Sequence, residues 1–178
     1  MKYKLIGLLL GIGLLSSPII SEASDVFTDI EEGSWYYNPI KLLKEKGIIN
    51  GFDSGEFKPD ENISREEVAA MAYRLYTSDL DNISIEKPFT SYEDVDENSW
   101  AIEYIEYLTQ NGILSGYGEN LFFPGKNISR EETAVIFDRI LKKKGLCIKK
   151  DKNLFKDDEE IASWSRDSVY RLKFSNYI

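Results

Sequence analysis

Histidine is absent from this 178-residue chain, and cysteine occurs once. The first absence removes His-based catalytic triads and His-ligated zinc sites. The second removes any intrachain disulfide and with it the architecture of a small stapled extracellular domain. The lone thiol, Cys147, lies in a Lys-rich linker and reads as incidental. Basic charge is short as well: 22 Lys and Arg stand against 31 Asp and Glu, a net charge of −9. General nucleic-acid and anionic-membrane binders rely on a basic surface, so no nucleic-acid partner is expected.

Long apolar runs are scarce. One, from Leu5 to Leu15, follows Lys2 and Lys4 and precedes Ser16-Ser17-Pro18 and Ser21-Glu22-Ala23. A short positive region, an apolar core and a small-x-small ending describe a secretory signal peptide, with the cut expected after Ala23. The run is short against the ~20 apolar residues of a spanning helix, so no membrane span is expected after cleavage. No Cys sits near the cut, which argues against a lipid-anchored form. Losing Lys2, Lys4 and Glu22 leaves 20 basic and 30 acidic side chains, a net charge of −10. A secreted chain without disulfides fits a bacterial exterior. Eleven Tyr, nine Phe and three Trp supply apolar area for a core.

What is present is repetition. Asn62-Ile63-Ser64-Arg65-Glu66-Glu67 recurs as Asn127-Ile128-Ser129-Arg130-Glu131-Glu132, 65 positions later. Without a gap, Trp35, Ile40, Leu43, Gly47, Ile48, Gly51, Phe57 and Pro59 map onto Trp100, Ile105, Leu108, Gly112, Ile113, Gly116, Phe122 and Pro124. A third copy begins with Phe155, Asp157 and Trp164, followed by Val169 and Leu172. The reading is a signal peptide (1–23), repeat 1 (24–76), a linker (77–91), repeat 2 (92–141), a linker (142–152) and a partial repeat 3 (153–178).

Each repeat reads as helix, loop, helix. Ser34 and Ser99 are the expected caps of the first helices, whose stripes are Tyr36, Ile40, Leu43 and Ala101, Ile105, Leu108. Spacings of four and three place these residues on one helical face. Pro39 falls in a first turn, where its missing N–H costs little, and Gly47 and Gly112 end the helices. Asn50-Gly51 and Ser115-Gly116 are turn pairs, and Phe57-x-Pro59 and Phe122-x-Pro124 give each loop an apolar plug with a rigid exit. Ser64 with Glu67, and Ser129 with Glu132, have the spacing of a capping box at the start of the second helices. The partial repeat supplies one more first helix, from about Trp164 to Lys173, before Asn176-Tyr177-Ile178. The fold class is all-α, with three first helices able to form a bundle and two complete loop–helix units as arms.

The ordered set Phe27, Asp29, Trp35, Ile40, Leu43, Gly47, Ile48, Gly51, Phe57, Pro59, Ile63, Ser64, Arg65 and Glu67 resembles the S-layer homology (SLH) repeat. Repeat 2 has Tyr92 for the Phe but keeps Asp94 and the pattern from Trp100 through Glu132. The resemblance implies a pseudo-threefold domain with a central three-helix bundle and peripheral arms. It also implies non-covalent attachment to secondary cell-wall polysaccharide, often bearing ketal-linked pyruvate, in grooves between neighbouring repeats. The implied location is the cell wall or surface of a Gram-positive-type bacterium.

Seven residues stand out as ligand contacts: Arg65, Arg130, Trp35, Trp100, Trp164, Asp29 and Asp94. An Arg in a first helical turn faces the positive end of the helix dipole, unfavourable by ~0.3–1 kcal/mol. An anion held between guanidinium and helix N-terminus would reverse that sign. The alternative is an internal pair with Asp29, Asp94 or a neighbouring Glu. The three Trp offer either a face for a sugar ring or core anchors. Asp29 and Asp94, with Asp157, read first as turn or Arg partners and second as acceptors for sugar hydroxyls. Asp94-x-Asp96-x-Asn98 is not a calcium loop, because its sixth and twelfth places hold Ser99 and Ile105 where Gly and Glu are required. The repeated carboxylates already have capping or turn roles, so no enzyme, no cofactor and no metal site is expected. The competing function is assembly, in which the unfinished bundle is completed by another chain as a homo-oligomer.

Overall fold

The computed structural model describes residues 26–80, 91–146 and 155–174. The proposed signal peptide, Cys147 and the segment Asn176-Tyr177-Ile178 lie outside the described residues. Among the described residues five α-helices follow one another: α1 (Tyr37–Glu45), α2 (Arg65–Thr77), α3 (Ile102–Gln110), α4 (Arg130–Lys143) and α5 (Ser163–Phe174). Among the described residues there is no strand beyond a single isolated bridge, so the chain is all-α.

The second helices start as the sequence dictates. Ser64 N–H donates to Glu67 Oε2 at 2.7 Å while Ser64 Oγ accepts from Glu67 N–H, and Ser129 and Glu132 repeat the arrangement. The first helices start two residues later than expected. Their N-cap positions are Tyr36 and Ala101, without a side-chain cap. Ser34 Oγ instead donates to Glu31 O at 2.8 Å, and Ser99 Oγ accepts from Ala101 N–H, so both serines close the turn before the helix. Gly47 and Gly112, each at φ 66°, end α1 and α3. Ile48 N–H reaches back to Leu43 O at 2.9 Å and Ile113 N–H to Leu108 O at 2.8 Å, a Schellman ending that only a left-handed residue permits.

Aspartate holds each intervening loop. The two oxygens of Asp29 accept from Phe57 N–H (2.8 Å) and Lys58 N–H (2.6 Å), and those of Asp94 from Phe122 N–H (2.7 Å) and Phe123 N–H (2.6 Å). Lys58 and Phe123 sit at φ 60° and 58°, conformations that side chains disfavour. The double clamp holds them there and presses Phe57 and Phe122 inward. Phe122 is fully buried, a burial worth about 1.5–3 kcal/mol.

The helices meet across repeat boundaries. Close pairs form between α2 and α3, between α4 and α5, and between α2 and α4. Among the described residues α1, α3 and α5 make no close pair with one another, and the close pairs run from each second helix to the first helix that follows it and between the second helices. Each nine-residue first helix of the complete repeats has one apolar stripe, and its own loop and a second helix use that stripe up. The central cluster joins Val68, Ala69 and Ala72 of α2 to Ile105 and Leu108 of α3 and Ile136 and Ile140 of α4. A separate cluster around Phe27, Ile40 and Ile48 seats α1, and a small one of Ala134, Val169 and Leu172 seats α5. The two hexapeptides also pair with each other: Arg65 N–H donates to Lys126 O, Ile128 N–H to Ile63 O, and Ser64 and Asn127 form an antiparallel bridge.

Candidate functional site

That pairing aims Arg65 into the next repeat. As the first residue of α2 it is 5% exposed, and its guanidinium lies between the rings of Tyr117 (4.4 Å) and Phe122 (4.5 Å). Nε donates to Phe122 O at 2.9 Å and Nη2 to Ser115 O at 3.1 Å, while Nη1 stands 3.6 Å from Glu132 Oε1. The repulsion expected from the helix dipole is thus met from within the protein, by a neighbouring glutamate. Burial works against the Glu132 charge, but Ser129 N–H, the Tyr117 hydroxyl and Arg65 outweigh it and hold the carboxyl below its usual range. Arg65 is a strut whose edge remains on the surface of a groove.

The groove has a volume of about 320 Å³. Repeat 1 gives it Arg65. Repeat 2 gives Leu114, Ser115, Gly116 and Tyr117 from its loop and Glu132, Val135, Ile136 and Arg139 from α4, and Trp164 comes from α5. Arg139 Nη1 donates to Ile113 O (3.0 Å) and Ser115 Oγ (3.1 Å), fixing the loop from the opposite side. A Cβ on Gly116 would lie 2.4 Å from Leu121 O, so only glycine lets the loop close here. Trp164 is 59% exposed. A flat indole, a phenol and two guanidiniums around one concavity suit a sugar ring carrying an anionic group.

The predicted residues divide. Arg65 and Trp164 come together in the groove, and Asp29 and Asp94 are loop clamps whose oxygens are taken by backbone N–H groups. Arg130, the repeat-2 counterpart of Arg65, is exposed and has no hydrogen bond or ion pair among the described residues. Trp35 and Trp100 are 88% and 56% exposed, so none of the three Trp is a core anchor. Each Trp precedes the apolar stripe of its helix, and Ile40, Ile105 and Val169 take the interior positions instead. Among the described residues no group of His, Cys, Asp and Glu is arranged to hold a metal ion.

The S-layer homology domain model matches residues 26–69 and 91–134. By these repeats the chain belongs to the S-layer homology family. It is 31% identical over 122 residues to the cellulosome-anchoring protein of Acetivibrio thermocellus, covering 68% of this chain and 27% of that protein. It is 33% identical over 126 residues to the amylopullulanase of Thermoanaerobacterium thermosulfurigenes (68% and 7%), and 29% identical over 115 residues to S-layer protein EA1 of Bacillus anthracis (65% and 13%). The chain therefore spans under a third of the length of each. No helix among the described residues is long and apolar enough to cross a membrane.

Three SLH residues, Arg74, Arg139 and Tyr117, escaped the sequence reading. Arg74 donates to Ile48 O at 3.3 Å as Arg139 does to Ile113 O, and the two are 65 positions apart. A charged residue repeated at the repeat spacing, beyond the capping box, was the available signal. Tyr117 was hidden because its counterpart in repeat 1 is Phe52.

Proposed function

We propose that this chain is an exported, non-catalytic SLH module that holds secondary cell-wall polysaccharide non-covalently at the surface of a Gram-positive-type bacterium. The observation that carries the reading is the convergence of three repeats on one groove, with Arg65, Arg139, Tyr117 and Trp164 around it. A sugar ring lies on the Trp164 indole while an anionic substituent, such as a pyruvate ketal carboxylate, meets Arg139. Relatives named for anchoring and for S-layers share this segment, which supports attachment as its task. Asp29 and Asp94 serve binding indirectly, by shaping the loops.

The test is co-sedimentation of the mature protein with purified sacculi, before and after chemical removal of their secondary polysaccharide. Arg65→Ala would confound binding with loss of a strut, so Trp164→Ala is the informative variant. Binding that needs both the polysaccharide and Trp164 supports the reading; binding to stripped sacculi would sink it. A second reading, assembly with another chain, is favoured by Arg130, which is exposed where Arg65 holds a loop. Light scattering over a range of concentration decides it, and a strictly monomeric mass overturns it.

A further inference from the structure

Trp164 reaches the groove on α5, and the attachment of α5 differs in kind from the rest of the fold. Among the described residues its buried apolar cluster is Ala134, Val169 and Leu172, three residues against fourteen in the central cluster. Two carboxylates of α4, seven residues apart and hence on one face, supply what the apolar contact lacks. Glu131 accepts from Ala162 N–H and Ser165 Oγ, on either side of Trp164 in the chain. Asp138, 1% exposed, accepts from Ser168 Oγ at 2.8 Å and from Arg171 Nε and Nη2 at 2.7 and 2.6 Å, and Lys142 Nζ lies 2.9 Å away. None of these groups lines the groove.

We infer that Glu131 and Asp138 form a clamp whose task is to place Trp164 in the groove, making Asp138 a positioning residue for ligand binding. The inference rests on the polysaccharide-binding reading. Its physical content is that a buried bidentate carboxylate–guanidinium pair has one good geometry, so α5 docks in one register or comes away. In the corresponding place between repeats 1 and 2 the same three positions are Tyr73, Tyr104 and Tyr107, packed ring on ring. Those tyrosines define a charge-free replacement taken from the equivalent boundary of the same chain.

Three proteins test it: wild type, Asp138→Ala, and the triple variant Asp138→Tyr, Ser168→Tyr, Arg171→Tyr. Amide hydrogen exchange follows α5. The Trp164 indole N–H resonance, assigned by its loss in Trp164→Phe, follows the ring itself. In Asp138→Ala the opening of α5 should rise on the order of a hundredfold while α2 and α3 stay protected. The indole resonance should move to the position of a solvated Trp, and binding to sacculi should drop to that of Trp164→Ala. The triple variant should restore all three. Unchanged α5 protection and an unmoved resonance in Asp138→Ala would overturn the clamp, whatever the binding result. An undocked α5 with full binding would overturn its role in placing Trp164. Should the wild type itself fail to bind sacculi, the anchoring reading falls, and exchange with the indole resonance decides the clamp alone.

Discussion

Between the first and second repeats, Tyr73 of α2 packs on Tyr104 and Tyr107 of α3, with ring centroids 5.0 and 5.2 Å apart. Between the second and third, the same positions hold Asp138 of α4 and Ser168 and Arg171 of α5. One backbone arrangement is thus held by dispersion and ring edges in one place and by charge in the other. Aromatic contact is tolerant of small shifts, whereas a carboxylate gripped by Arg171, Lys142 and Ser168 is not. The difference also labels the helices. Placing α5 on α2 would bury Arg171 against Tyr73, and placing α3 on α4 would take Arg171 and Ser168 from Asp138 and leave it Lys142 alone. Each second helix therefore accepts its own successor.

The largest break in this symmetry is expected from Asp138→Ala. It leaves Arg171 with only the exposed Asp167 carboxylate, 4.0 Å away, among its described ion pairs, so the loss lies at the low end for a buried pair, about 3 kcal/mol, to be read as an early α5 transition in urea. Tyr73→Ala removes a half-buried ring and should cost about 2 kcal/mol, spread over α2 and α3. Acid separates the two boundaries further. Burial opposes the Asp138 charge, but its hydrogen bonds with Arg171, Lys142 and Ser168 outweigh that and bring the carboxyl down to about 2. The unfolded group titrates near 3.8, so its stabilisation is complete above about pH 4. It is lost as the pH falls through 2, a change of about 2 kcal/mol from this group, located at α5 by hydrogen exchange at each pH. Alkali acts on the tyrosine boundary, and at α5 only through Tyr170, whose hydroxyl burial and Asp158 also raise. Burial first, then Tyr107, Glu103 and Tyr104, raise the Tyr73 hydroxyl above its usual range. Stability at that boundary is present below the ordinary tyrosine range and lost as the pH rises beyond it, while Asp138 is indifferent there. The smallest effect on stability is expected from Trp164→Ala, about 0.5 kcal/mol or less, since the ring is mostly exposed.

Local rules carried the sequence reading a long way. Capping boxes at Ser64 and Ser129, helix endings at Gly47 and Gly112, and inward Ile40, Ile105 and Leu108 follow from spacing and backbone chemistry alone. What stayed hidden depends on partners distant in the chain. The burial of Arg65 is set by Ser115 O and Phe122 O, some fifty residues away, and a first-turn position gives no hint of them. The exposure of Trp35 and Trp100 follows from where the preceding turn ends, two residues past the expected caps. Asp138 was invisible for another reason: searching for what repeats passes over the positions where the repeats differ.

The reach of Arg65 into the following loop has a consequence for where this molecule divides. The linker at 77–91 marks the natural place to cut if the sequence period is the guide. Such a cut would part α2 from α3 and strip the groove of its floor, because every close helix pair and the Arg65 strut cross from one repeat to the next. The inherited unit and the working unit are therefore out of phase by half a period. A fragment designed to bind has to begin at α2 and run through α5, carrying the end of one repeat, the whole of the next and the start of the third.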